Sequence, residues 1–203
     1  MPAIVTLRRD QLGDSSRGLA RAFDDDPVFR HLYPTPRRRR WSCRSFLHAI
    51  VRDGLAFGEV WAAVDDAGSV VGTAGWLPEG KYPPSRLRAA RQLVSAWNAL
   101  LTPHTFRDGL RYLTETEKLH PKEPHWYLAV IGVDPERQGE GLGGKLLDAV
   151  LGRLDATGVP AYLETSTEAN VAWYRHHGFD VQHEVRPAPA GPPLWTMWRE
   201  PRG

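Results

Sequence analysis

The stretch "RQGEGLGGKL" (137–146) places four glycines within six positions, Gly139 to Gly144. Such a run lets backbone N–H groups approach an anion, because glycine adopts positive φ freely and adds no side chain in the way. Three phosphate-binding spacings overlap in it. Gly139, Gly141 and Gly144 spell GxGxxG, Gly139 to Lys145 spell GxxxxGK, and Gln138, Gly141 and Gly143 spell QxxGxG. Each requires a strand leading in and a helix leading out. Both are at hand. "HWYLAVIGV" (125–133) lacks strict alternation, as a strand buried on both faces does. Leu142, Leu146, Val150 and Leu154 form an i, i+4 row, with Leu147 and Leu151 beside it, on an amphipathic helix.

The remaining elements follow from period and punctuation. "AIVTLRR" (3–9) reads as a first strand, and residues 15–32 as helical, with Asp24-Asp25-Asp26-Pro27 as the stop. A second helix runs from Arg37 to about Gly54, with Trp41, Phe46, Leu47 and Ile50 inward. Residues 58–80 form a hairpin around Asp65-Asp66-Ala67-Gly68. Residues 84–119 are helical in two pieces broken near Pro103. "PAYLET" (160–165) is a strand, and Asn170 to His177 a short helix closed by Gly178. "FDVQHEVR" and "LWTMWRE" end the chain as strands.

A net charge of +2 over 203 residues does not describe a nucleic-acid surface. The basic run Arg37 to Arg40 lacks interleaved aromatics and reads as a solvated helix face. No apolar run reaches membrane-spanning length, and no signal segment opens the chain, so no membrane partner is expected. The single cysteine, Cys43, excludes an intrachain disulfide and a cysteine-rich zinc site, and fits a reducing cytoplasm. The eight histidines show no ligand spacing, so no metal is expected.

Two of the three spacings meet objections. GxxxxGK needs a Ser or Thr next to bind Mg²⁺, and position 146 is Leu. GxGxxG has an acid in the right place, since Glu164 follows Gly144 by 20 residues. Only 59 residues follow Gly144, however, and they end as a meander rather than as further strand–helix repeats. QxxGxG fits residues outside the loop as well. V-x-P-x-x-Q-G-x-G-x-G (133–143) and N-x-x-x-Y-x-x-x-G-F (170–179) together resemble the core of the GNAT N-acetyltransferases over roughly residues 125–182. Among members of that family, the similarity extends thinly over the whole chain to those that acetylate puromycin.

That resemblance implies an α/β fold with a mixed, mostly antiparallel, V-shaped sheet flanked by helices. It implies one domain over 1–203, with an acceptor-side half at 1–83, a helical lid at 84–120 and an acetyl-CoA half at 121–203. Acetyl-CoA would be the acetyl donor. Backbone N–H groups of Gln138, Gly139, Gly141, Leu142, Gly143 and Gly144 would hold its pyrophosphate, and those of Ile131 and Val133 would polarise the carbonyl. Asn170 is a pantetheine contact, an N-cap, or both. Tyr174, one turn later, matches the family's acid for the leaving thiolate. Glu164 is a base or a structural carboxylate. Asp26 can hold a cationic amine or cap a helix. Trp76, His125 and Trp126, with Trp61, Trp97 and Tyr112, would flank the acceptor.

The expected function is acetylation of a small primary amine, such as a puromycin-like antibiotic, by direct attack. A protein-modifying acetyltransferase and a non-catalytic acyl-CoA sensor stand as rivals. Oligomeric state is left open.

Overall fold

A computed structural model of the chain describes residues 1–85, 87–90 and 103–202. Seven strands form one open sheet: β1 (Ala3–Thr6), β2 (Glu59–Val64), β3 (Val70–Leu77), β4 (Trp126–Val133), β5 (Ala161–Thr165), β6 (Asp180–Val185) and β7 (Leu194–Arg199). Their spatial order is β1-β2-β3-β4-β5-β7-β6. The β4–β5 pair is parallel and the other five pairs are antiparallel. The sheet is therefore mixed, mostly antiparallel and flanked by helices.

Strand alternation sorts the apolar side chains into two cores. On one face Ala63, Val71, Ala74 and Trp76 pack against α5 (Leu142–Thr157), whose Leu142, Leu146, Leu147, Val150, Leu151 and Leu154 are all buried. Each buried leucine contributes about 1.5–3 kcal/mol of burial free energy. On the other face Val60, Ala62 and Val70 meet α1 (Leu12–Ala22) and α3 (Pro36–Phe57) through Leu19, Cys43, Leu47 and Val51.

The expected helix at 15–32 is two helices. α1 ends at Ala22, and α2 (Pro27–Leu32) starts afresh, because the Asp26 carboxylate accepts from the Phe29 N–H at 3.0 Å and Pro27 occupies the first turn. The basic run is not a uniformly solvated face either. Arg39 is buried, donates to the Tyr33 and Pro34 carbonyls at 3.2 and 3.3 Å, and pairs with Asp24 at 3.4 Å. That arginine ties the start of α3 to the turn before α2.

Within the expected lid, α4 (Pro103–Leu119) is anchored near its start and at its middle. Thr105 Oγ1 donates to the Leu32 carbonyl at 2.9 Å, and Tyr112 OH to the Pro192 carbonyl at 2.8 Å. The piece of the lid that precedes α4, including Trp97, lies largely outside the described residues. Among those residues no helix is long and apolar enough to cross a membrane.

Candidate active site

The sheet forks between its two parallel strands. Only Trp126↔Ala161, Tyr127↔Tyr162 and Leu128↔Leu163 pair, although β4 continues to Val133. The fork begins where β4 carries an extra residue. Leu128 pairs with Trp76 and Val130 with Gly75, so Ala129 is a bulge. The bulge reverses alternation: Leu128 belongs to the α5 core and Val130 to the α1–α3 core. Beyond it, the Asp134 N–H donates to the Val71 carbonyl at 2.9 Å. Alternation back from Asp134 turns Gly132 toward β3 and turns the N–H groups of Ile131 and Val133 into the fork.

A cavity of about 520 Å³ opens at this fork. Its wall runs from Tyr127 to Ile131 on β4, across Glu164 to Ser166, to Asn170 and Tyr174 on α6 (Glu168–His176). Asp26, Phe29 and Phe46 close the side toward α2 and α3, and Tyr112, Thr116 and Glu117 of α4 close another.

The glycines of the loop divide into two kinds. Gly139 and Gly141 have φ of +84° and +73°, and a Cβ on either would meet nothing within 4 Å. Gly141 is the N-cap of α5, so uncovered N–H groups of the first turn face open space there. Gly143 and Gly144 act instead in packing. An added Cβ would lie 3.1 Å from Trp173 and 3.2 Å from His177, so these two let α6 sit against α5. Leu142 turns its side chain into the core, leaving only its backbone for a ligand. Gln138 donates its side-chain amide to the Val133 carbonyl at 3.1 Å, linking loop and fork.

Gly141→Val forces a β-branched residue into left-handed backbone, at about 1–2 kcal/mol, and fills the open space. We expect acetyl-CoA affinity, measured by calorimetry, to fall by about tenfold or more. Unchanged affinity would separate the loop from acetyl-CoA binding.

Thr167, not Asn170, caps α6: its hydroxyl accepts from the Asn170 N–H at 3.3 Å. The Asn170 side chain is thereby released from that role, and the residue lies on the cavity wall. Tyr174 follows one turn later, buried against Phe179 with ring centroids 5.8 Å apart. Burial holds its hydroxyl well above the ordinary phenol range, so it stays protonated. Cys43 is wholly buried, and desolvation raises its thiol likewise, which removes it as a nucleophile.

Four acidic residues line the cavity, Asp26, Asp53, Glu117 and Glu164, and two of them, Asp26 and Glu164, stand on the sides nearest the fork. Asp26 caps α2 and also accepts from Ser166 Oγ at 2.6 Å, so capping and cavity roles coincide; burial raises its carboxyl. Glu164 lies on β5 with its side chain 8% exposed. Its Oε1 faces His120 Nδ1 at 3.7 Å, and the rings of Tyr82, Tyr127 and Tyr162 surround that histidine within 5.0 Å.

Three expected acceptor contacts lie elsewhere. Trp76 is fully buried on the α5 face, because alternation along β3 turns it away from the fork. Trp126 packs on the same side, with the Arg153 guanidinium 4.9 Å over its ring. His125 is buried behind His120 and off the cavity wall. Ser166, Tyr82 and Tyr127 line the cavity, and His120 stands behind Glu164 off its wall, none of them an expected site residue. None carries a spacing signal: they reach this region from separate segments through the sheet.

Residues 19–179 match the model of the acetyltransferase (GNAT) family, and the chain belongs to that family. It is 35% identical over 91 residues to an uncharacterized N-acetyltransferase of Schizosaccharomyces pombe, covering 43% of this chain and 37% of that protein. The chain thus matches only about a third of the length of that curated relative. Among solved structures, a histone acetyltransferase HPA2 and related acetyltransferase from Corynebacterium glutamicum superimposes with a TM-score of 0.72 at 24% identity, over 100% of this chain and 97% of that one. Arylalkylamine N-acetyltransferase 2 from Aedes aegypti gives a TM-score of 0.66 at 15% identity, over 98% and 99%. Both likenesses speak to the fold.

Proposed function

We propose that this chain transfers acetyl from acetyl-CoA to a primary amine of a small molecule by direct attack on the thioester. One observation carries the proposal: Tyr174, Glu164 and the backbone around Ile131 meet in a single cavity at the strand fork. The loop Gln138–Gly144 would hold the pyrophosphate, and Asn170 the pantetheine arm. The N–H groups of Ile131 and Val133 would polarise the thioester carbonyl, where negative charge develops. Asp26 would attract the ammonium group, and Glu164 would take its proton so that a neutral amine attacks. Tyr174, kept protonated by burial, would supply the proton for the departing thiolate.

A small acceptor suits the cavity better than a protein tail. Its volume lies in the range of drug-sized ligand pockets, and α2, α3 and α4 enclose it with aromatic side chains. An aminonucleoside of the puromycin type supplies a flat surface for those rings and an amine for Asp26 and Glu164. The single, buried, free thiol suits a reducing cytoplasm.

Asp26→Asn tests the acceptor assignment. Its cap and its contact with Ser166 survive in the amide, and only the charge is lost. We expect KM for the amine to rise about tenfold while KM for acetyl-CoA stays put. Steady-state kinetics with unmodified lysine peptides in parallel would expose a protein acceptor: faster turnover of peptides than of any small amine would overturn the proposal.

A further inference from the structure

Acetylating an ammonium removes two protons from nitrogen and returns one to sulfur, so a lone carboxylate must be emptied during each turnover. Glu164 Oε1 and His120 Nδ1 are both buried without a hydrogen-bond partner, and they face each other at 3.7 Å. A shift of about 1 Å, or one bridging water, brings them into hydrogen-bond contact.

The proton positions behind them follow from one fixed acceptor. His125 Nδ1 lies 2.6 Å from the Glu123 carbonyl oxygen, which can only accept, so that nitrogen carries the hydrogen. Burial lowers the pKa of His125 and keeps the ring neutral, which leaves Nε2 as an acceptor. His120 Nε2 lies 3.0 Å from it and must donate. His120 is left with a bare Nδ1 aimed at Glu164.

We propose that His120 is a second proton acceptor, taking through Nδ1 the proton that Glu164 removes from the amine, with His125 and the Glu123 carbonyl fixing its tautomer. This rests on the acetyl-transfer function proposed above. Glu164 takes one proton from the ammonium and hands it to His120, which becomes an imidazolium. The neutral amine forms the C–N bond, and Glu164, again anionic, takes the second nitrogen proton. The C–S bond breaks, and the sulfur receives a proton from Tyr174. Tyr174 regains one of the two stored protons, and the other leaves to solvent.

The groups facing the pair are Tyr82, Tyr127 on β4, Tyr162 on β5, His125 beyond, and Glu117 on α4, whose charge acts on Tyr82. Desolvation, with Glu164 adding to it, raises all three tyrosine hydroxyls far above the ordinary range, so they hold their protons throughout. His120 and Glu164 are then the pair in this cluster between which a proton moves.

Nitrogen-15 NMR of the wild-type protein should show His120 protonated on Nε2 and His125 on Nδ1. His120→Asn should lower kcat by about 10–100-fold with acetyl-CoA affinity unchanged. The acid limb of kcat/KM should change from a two-proton to a one-proton slope, which a merely structural role would not produce. His120 protonated on Nδ1 instead, or an Asn variant with more than half the activity and an unaltered limb, would overturn the proposal. If His120→Asn does not fold, His125→Asn serves: an acid limb reduced to a one-proton slope supports the tautomer role, and a wild-type two-proton profile refutes it. Wild-type protein that turns over no amine would overturn acetyl transfer itself, whereas turnover with an indifferent His120→Asn would overturn the proton acceptor alone.

Discussion

Replacing Tyr174 by phenylalanine is expected to lower kcat about 100-fold or more and to leave KM for acetyl-CoA within about twofold. The substitution removes one oxygen and keeps the ring that packs on Phe179 and Trp173. Stability should therefore change little, and the loss isolates the proton donor. Desolvation already holds this hydroxyl protonated, so no alkaline inactivation from Tyr174 is expected below the ordinary phenol range. Rates of thiol release, compared between the two proteins at saturating acetyl-CoA, check it. Full activity in the phenylalanine variant would remove Tyr174 from the chemistry.

The second large effect is on stability. Arg199 on β7 is 3% exposed at its side chain and grips Asp155 at the end of α5 through two hydrogen bonds of 2.7 Å. Its Nε donates to the His177 carbonyl at 2.9 Å, and the Arg202 N–H also donates to Asp155 at 2.8 Å. One buried cation thus joins α5, the end of the Tyr174 helix and the last strand. Asp155→Asn leaves that cation without its counter-charge; because Asp155 itself is partly exposed, the loss is about 1–3 kcal/mol, below that of a fully buried pair. The hydrogen bonds from Arg199 hold the Asp155 carboxyl below its ordinary range. The sign follows: this stabilisation is present above the ordinary carboxylate pKa and is lost as pH falls through the lowered one. Chemical denaturation across acid pH should show the wild type approaching the variant as pH falls. Equal stabilities at neutral pH would refute this account of Arg199.

Much of the proposed donor side is legible in the sequence because it is local. The glycine run, the helix that follows it, and Asn170 and Tyr174 one turn apart all lie within 137–179. Short-range spacing determines such arrangements. The proposed acceptor side is less legible, since distant segments build it. Ser166 reaches Asp26 across 140 positions, and His120 reaches Glu164 across the sheet. The bulge at Ala129 carries no Gly or Pro to announce it, yet it decides which β4 side chains face which core. Trp76 shows the same difficulty from the other side. Period-2 spacing says that Trp76 and Ala74 share a face, but not that the cavity lies beyond the opposite one. Thr167 replaced Asn170 as the cap because a hydroxyl three residues earlier caps the helix one turn sooner.

The measurement that bears most directly on the central claim is free-thiol release from acetyl-CoA by the wild-type protein. It should be run over a panel of small primary amines, an aminonucleoside among them, with the acetylated product identified by mass spectrometry. The account predicts amine-dependent thiol release with one acetyl group added at the amine nitrogen. Tight acetyl-CoA binding with no amine-dependent release from any member of the panel would contradict it.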